Sequence, residues 1–165
     1  MAFKITDPLV GAQPIAVTDT TQNHALGTIV RAEDPTYGAG EFIYLKGVAS
    51  TAVGSVVTYN TTSGTTTLAP AGTNKPQPIA VAMSANVADQ WGWYQIGGVA
   101  VVAKAATVSL AAGVAVGVQS TGVINATASG KEVEGALVAA VASAATGRTT
   151  VQVVINRPAM QGRVS

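Results

Sequence analysis

From Glu41 onward the chain alternates short apolar runs with clusters of Gly, Asn, Ser and Pro. Residues 42–45, 55–59, 78–83, 91–96, 99–102, 114–118, 136–141 and 149–155 are rich in β-branched or aromatic side chains. Runs of this length and spacing predict an all-β fold, an antiparallel β-barrel or sandwich. Residues 136–145 would suit a helix on propensity alone, but Gly135 and Gly147 bound them closely and their neighbours read as strands. Residues 1–40 have a different texture: polar, broken by Pro8, Pro14 and Pro35, with a strand pattern only over 26–31. They predict an extended N-terminal arm that orders against a partner surface.

The β pattern repeats. At an offset of 58, residues 41–46 fall on 99–104, which sets Lys46 on Lys104; at 59, residues 53–57 fall on 112–116, which sets Gly54 on Gly113. Residues 78–83 then match 136–141 at 58, and 94–96 match 151–153 at 57. Each unit reads as strand, Gly turn, strand, Thr/Ser/Asn-rich hairpin, strand, Ala-rich strand, loop, closing strand. The expected organisation is therefore an arm (1–40), a β body (41–158) of two pseudo-repeats (41–98 and 99–158) of about 58 residues each, and a tail (159–165).

Composition sharpens this reading. Ala (30), Val (24), Thr (20) and Gly (18) supply 92 of 165 positions. Only 10% of residues are charged, against a usual ~25%. A disordered chain would need charge or Pro in place of the apolar content found here. The nine Lys and Arg are scattered singly and the net charge is +1, so a phosphate-tracking nucleic-acid surface is not expected. With no Cys there is no disulfide or thiolate site. The first eight residues lack the apolar stretch of a signal peptide, which disfavours that secretion route. Residues 96–118 are long enough for a membrane span, but Lys104 and the many Ala and Gly oppose insertion, and they read as two strands and a turn; no membrane partner is expected.

The inventory for catalysis is thin. His24 is the sole His, with Asp19 the nearest acid, and reads as a loop residue. Glu33-Asp34 and Glu132/Glu134 read as solvated acids, the latter relieved by Lys131. Nothing has metal-ligand spacing. Gly38-Ala-Gly40 precedes a strand and reads as a turn, not a phosphate cradle. Asn60 and Asn125 are formal glycosylation acceptors that read as hairpin residues. No catalytic, cofactor or metal residue is expected. Trp91, Trp93 and Tyr94 concentrate three of only eight aromatics, and are expected to serve body packing or an oligomer contact. A stacking platform for sugar rings is the alternative, which would make this a carbohydrate-binding or adhesive β module of a virion or cell surface.

The stretch His24-Ala-Leu-Gly-Thr-Ile-Val-Arg-Ala-Glu-Asp-Pro-Thr-Tyr-Gly-Ala-Gly-Glu-Phe-Ile-Tyr-Leu-Lys-Gly47, followed by Thr51-Ala-Val-Gly-Ser-Val-Val-Thr-Tyr-Asn60, resembles the head decoration (capsid cement) proteins of tailed bacteriophages. Beyond Pro78 the likeness is one of style. The resemblance implies a non-enzymatic protein, made in the host cytoplasm, that binds the outer surface of the expanded head and resists internal DNA pressure. Its partners would be the major capsid protein and its own copies, a homotrimer ahead of a homodimer. On that reading the arm makes the shell contact, through Phe3, Ile5, Leu9, Ile15, Leu26, Arg31 and Tyr37.

Overall fold

The computed structural model describes residues 4–6, 13–71, 76–144 and 149–162; Phe3 and Leu9 lie outside them. The described residues contain no helix, and the fold is all-β. Its strands are β1 (Lys4–Ile5), β2 (Thr18–Asp19), β3 (Ile29–Asp34), β4 (Gly38–Lys46), β5 (Val56–Tyr59), β6 (Thr66–Leu68), β7 (Ile79–Ala82), β8 (Trp91–Lys104), β9 (Ala115–Ser120), β10 (Val123–Ala126), β11 (Glu132–Val138) and β12 (Thr149–Met160).

The strands make the same circuit twice. In the second half, β8 pairs β12, β12 pairs β11, β11 pairs β9 and β9 pairs β10, all antiparallel, and β10 returns to β8 in parallel at Ile124 and Lys104. That is a closed five-stranded barrel. In the first half, β4 pairs β8, β8 pairs β7, β7 pairs β5 and β5 pairs β6. The return to β4 is one parallel bridge between Lys46 and Thr65, supported by Lys46 N donating to the Gly64 carbonyl at 3.0 Å. The first half of β8 thus closes barrel 1 and its second half opens barrel 2. The two strands read at 91–96 and 99–102 are one strand, bent rather than broken at Gly97 and Gly98.

The registers adjust the repeat. Val57 and Val116 both point into their barrels, and Gly54 and Gly113 share a φ of 79°, so the offset of 59 holds there. Gly54 N donates to the Ala82 carbonyl and Gly113 N to that of Val138, each at 2.8 Å. This equates 82 with 138, an offset of 56 in place of 58. Ala82 opposite Tyr94 then matches Val138 opposite Val153, an offset of 59 in place of 57. Lys46 and Lys104 are not equivalent. Lys46 lies on the outward face with Phe42 and Tyr44, whereas Lys104 lies on the inward face with Ala100 and Val102. There it is 2% exposed and its Nζ donates to the carbonyls of Val108 (2.6 Å) and Ala105 (3.1 Å).

Each barrel has its own core. Ile43, Leu45, Val57, Ala80, Ala82, Tyr94 and Ile96 fill barrel 1. Small aliphatics from β8 to β12 fill barrel 2, joined by Val56, Ile79 and Val81 from the outside of barrel 1, so the barrels share apolar packing.

A third cluster revises the expected arm. Over 13–40 the chain is not an extension waiting for a partner. β2 pairs β8, β3 pairs β4 along its whole length, and Ile15, Val30 and Ala32 are buried with Phe42, Tyr44, Met83 and Trp93. The cause is the outer face of barrel 1: rings of this size cost several kcal/mol to leave in water, and the N-terminal segment is what covers them.

Candidate functional site

Residues 13–28 cross the outside of β4 and β8 as a strap. A turn closed by Val17 N donating to the Pro14 carbonyl at 3.0 Å turns Ile15 inward, where it is 1% exposed. Asp19 follows on β2, 7% exposed, and its Oδ2 accepts from the Tyr44 hydroxyl and from Gln13 Nε2, each at 2.5 Å. Because Gln13 turns its amide nitrogen to the carboxylate, its Oε1 faces His24 Nε2 at 2.8 Å, which requires the His24 proton on Nε2. The His24 ring meets Tyr44 edge-on at 5.1 Å between centroids and lies 5.5 Å from that of Trp93. Gly27 N to the Tyr44 carbonyl (2.9 Å) and Tyr44 N to the Thr28 carbonyl (2.8 Å) then join the strap to β4.

The strap is thus held by a polar latch over an aromatic floor. Burial, then the hydrogen bond to Asp19, pushes the Tyr44 hydroxyl up to about 12 from 10.0, and burial also raises Tyr94 and Tyr59. A proton held more tightly in the folded state stabilises fully below pH 10, and that contribution is lost as pH rises through about 12. Tyr44 should therefore form tyrosinate only near pH 12, together with unfolding, and Tyr59 and Tyr94 at higher pH than a free tyrosine does. Tyr44→Phe should flatten that alkaline loss of stability. A wild-type minus Tyr44→Phe difference absorbance that titrates around pH 10 with the fold intact would refute the burial.

The sequence paired His24 with Asp19 only by proximity. Gln13, which joins them, and Tyr44, which anchors them, carry no distinguishing signal in sequence, since a Tyr on an apolar strand and a Gln in a loop are ordinary. Asp19 and Tyr44 are buried and Gln13 and His24 half-buried, and together they tie the strap to β4.

The other candidates fall in several places. Ile5 is half-buried on β1, which pairs β3; Leu26 packs at the edge of the aromatic cluster, as does Tyr37. Arg31 is exposed and pairs with Glu41 at 3.4 Å, and Arg157 reaches the same carboxylate at 3.2 Å. Asp34 accepts from the Thr36 and Tyr37 amides, a turn role. Asn60 likewise accepts from Thr62 N and Ser63 N. Trp93 and Tyr94 are 0% exposed and serve body packing, Trp93 outside barrel 1 and Tyr94 inside it. Neither presents a ring to a sugar. Trp91 is half-buried, with the Lys46 ammonium 5.7 Å from its ring centroid and that ammonium paired to Asp89 at 2.9 Å. Among the described residues no group of three or more His, Asp or Glu could hold a metal ion, and no helix is long and apolar enough to cross a membrane.

Among the described residues no strap crosses the corresponding outer face of barrel 2. The cross-strand pair Tyr44–Trp93 outside barrel 1 has its counterpart in Val101–Gln152 outside barrel 2. Val99 and Val101 are half-buried, and Leu137 (45%), Val154 (39%) and Val141 (73%) are exposed. A cleft of about 350 Å³ opens beside them, lined by Tyr37, Val101, Val141 and Gln152.

Comparison of the chain with protein-family models and with curated proteins finds no match.

Proposed function

We propose that this protein decorates the outside of an expanded tailed-phage head, binding the major capsid protein and its own copies as a non-enzymatic cement. The observation that carries the reading is that the stretch resembling decoration proteins, residues 24–60, falls on one mechanical unit: the end of the strap, the β3–β4 hairpin and β5. That unit ties the N-terminal segment to barrel 1. A segment latched this way holds its shape before contact, so less chain entropy, about 1–2 kcal/mol per residue, is lost when the surface docks. At the end of the sheet, β1 pairs β3 alone among the described strands, which offers a backbone edge for strand addition by a shell segment. Many such contacts, each weak, gain strength when an oligomer presents several at once.

The test is cryo-EM of expanded heads with and without added protein. Extra density on the outer surface at symmetry-related positions, with decorated heads retaining DNA to a higher temperature, is the expected result. Heads that take up no density at saturating protein would end the proposal.

A further inference from the structure

Arg157 stands in a conformation that a side chain disfavours. Its φ is 43°, in the left-handed region, and Pro158 after it biases it further towards extended backbone. The cause is a bulge: between the pairs Glu134–Ala159 and Ala136–Ile155, Gly135 alone faces residues 156–158 of β12. Gly or Asn would hold that position at less cost. Within the chain the arginine gains little there. Its side chain is 63% exposed and donates to Glu41 Oε2 from Nε at 3.4 Å and from Nη2 at 3.2 Å. Left-handed backbone is disfavoured for a side chain by about five- to thirty-fold, whereas an exposed ion pair contributes about five-fold at most. A side chain held at such a position is therefore explained by a contact outside the chain.

The bulge sets Arg157 beside a cleft of about 520 Å³ where one barrel passes into the other, lined by Gly40, Gly97 and Gly98. Arg31 lines the same cleft and reaches Glu41 Oε1 at 3.4 Å. One carboxylate is thus divided between two guanidinium forks, and none of its contacts is as short as the about 2.7–2.9 Å usual for charge-assisted bonds.

We propose that this cleft binds a carboxylate side chain, Asp or Glu, on an acidic segment of the shell, with Arg157 and Arg31 as the groups that grip it. The shell as carrier rests on the decoration reading; the carboxylate site does not. A planar carboxylate meets a guanidinium fork in two parallel bonds, and Glu41 already does so in part. A phosphate dianion would set a second negative charge against Glu41. The glycines leave room for the segment's backbone to come close.

The experiment is an NMR titration of the isotope-labelled full chain with a blocked peptide of alternating Glu and Ser, the same peptide with Gln in place of Glu, and inorganic phosphate. The Glu peptide is expected to shift the amides of Gly97, Gly98 and Asn156 saturably, and the Gln peptide to leave them in place. Arg157→Gly should weaken that binding at least about tenfold, while Glu41→Gln, which removes the competing charge, should tighten it about threefold. An ion pair that serves only to hold the bend would not move binding in opposite directions. Unchanged amide shifts away from the cleft verify the fold of both variants. Glu and Gln peptides that act alike, or an Arg157→Gly protein that binds as wild type does, overturns the proposal. Phosphate shifting the same amides at lower concentration assigns the cleft to phosphate and overturns it too. Arg157→Gly is also expected to decorate expanded heads at least about tenfold more weakly than wild type; equal decoration overturns the shell as carrier. If the titration runs as expected and wild type binds no heads, the carboxylate site is supported and the decoration reading falls. If wild type decorates heads and neither peptide shifts the amides, the site falls and the decoration reading stands.

Discussion

Trp93→Ala is expected to lower the unfolding free energy by about 3–5 kcal/mol, the range for truncating a fully buried large aromatic side chain. Trp93 is 0% exposed and lies under His24 and Tyr44, with ring centroids 5.5 and 5.1 Å away. Its removal opens a cavity beneath the strap, and Asp19 and Gln13 lose the floor that sets their geometry. The strap should then be cut by protease between residues 13 and 26 well before the barrels are. Gln152→Ala, at the counterpart position outside barrel 2, is expected to change stability by no more than about 0.5 kcal/mol in dilute solution, because no strap of described residues lies on it. Urea unfolding of both variants measures the contrast. Equal losses would mean that the two outer faces are covered alike, and that barrel 2 has no open face to offer.

The asymmetry between the faces was only partly legible in the sequence. Seven of the eight apolar runs lie in strands along most of their length, two of them in β8, because β-branched residues at that spacing have few other ways to bury themselves; the run 136–141 is strand only to Val138, in a β11 that begins at Glu132. The repeat survived because the circuits of pairing match. Two devices escaped. Gly97 and Gly98 separated the runs 91–96 and 99–102 into two strands, since Gly pairs usually punctuate; in the fold they let one 14-residue strand serve both barrels. The Pro-marked first 40 residues looked like an arm because local polarity dominates them. Their few apolar positions, Ile15, Val30 and Ala32, matter only against Phe42, Tyr44 and Trp93, which are distant in sequence. The Lys46–Lys104 match misled for a related reason. In a strand a slip of one residue reverses the face, and identity of type carries no information about direction. The candidate site suffered most: a latch of Gln13, Asp19, His24 and Tyr44 spans four separate positions with no motif, and the outer face of barrel 2 is defined by what fails to cover it.

Gly98→Ala is expected to be costly for the addition of a single methyl group. Gly98 has a φ of 91°, and a Cβ there would run into the carbonyl of Ala39 and approach the Gly40 Cα at 3.1 Å, both backbone atoms at the start of β4. Side chains disfavour that φ by roughly 1–2 kcal/mol. Moving a packed backbone adds about 1–3 kcal/mol more, as overpacking does. Gly113→Ala separates the two terms. Its φ is 79°, yet a Cβ there meets nothing within 4 Å, so only the conformational part remains and the loss should stay near 1–2 kcal/mol. The difference between the two variants in urea midpoint therefore reads how tightly the β3–β4 hairpin is seated on the bend where one barrel passes into the other. Arg31 and Arg157 meet at Glu41 over the same bend, so Gly98→Ala should also loosen that pairing and with it the salt dependence of stability. Losses in the two variants that agree within error would place the hairpin away from Gly98 and make β8 a flexible link, with the barrels unfolding as separate transitions.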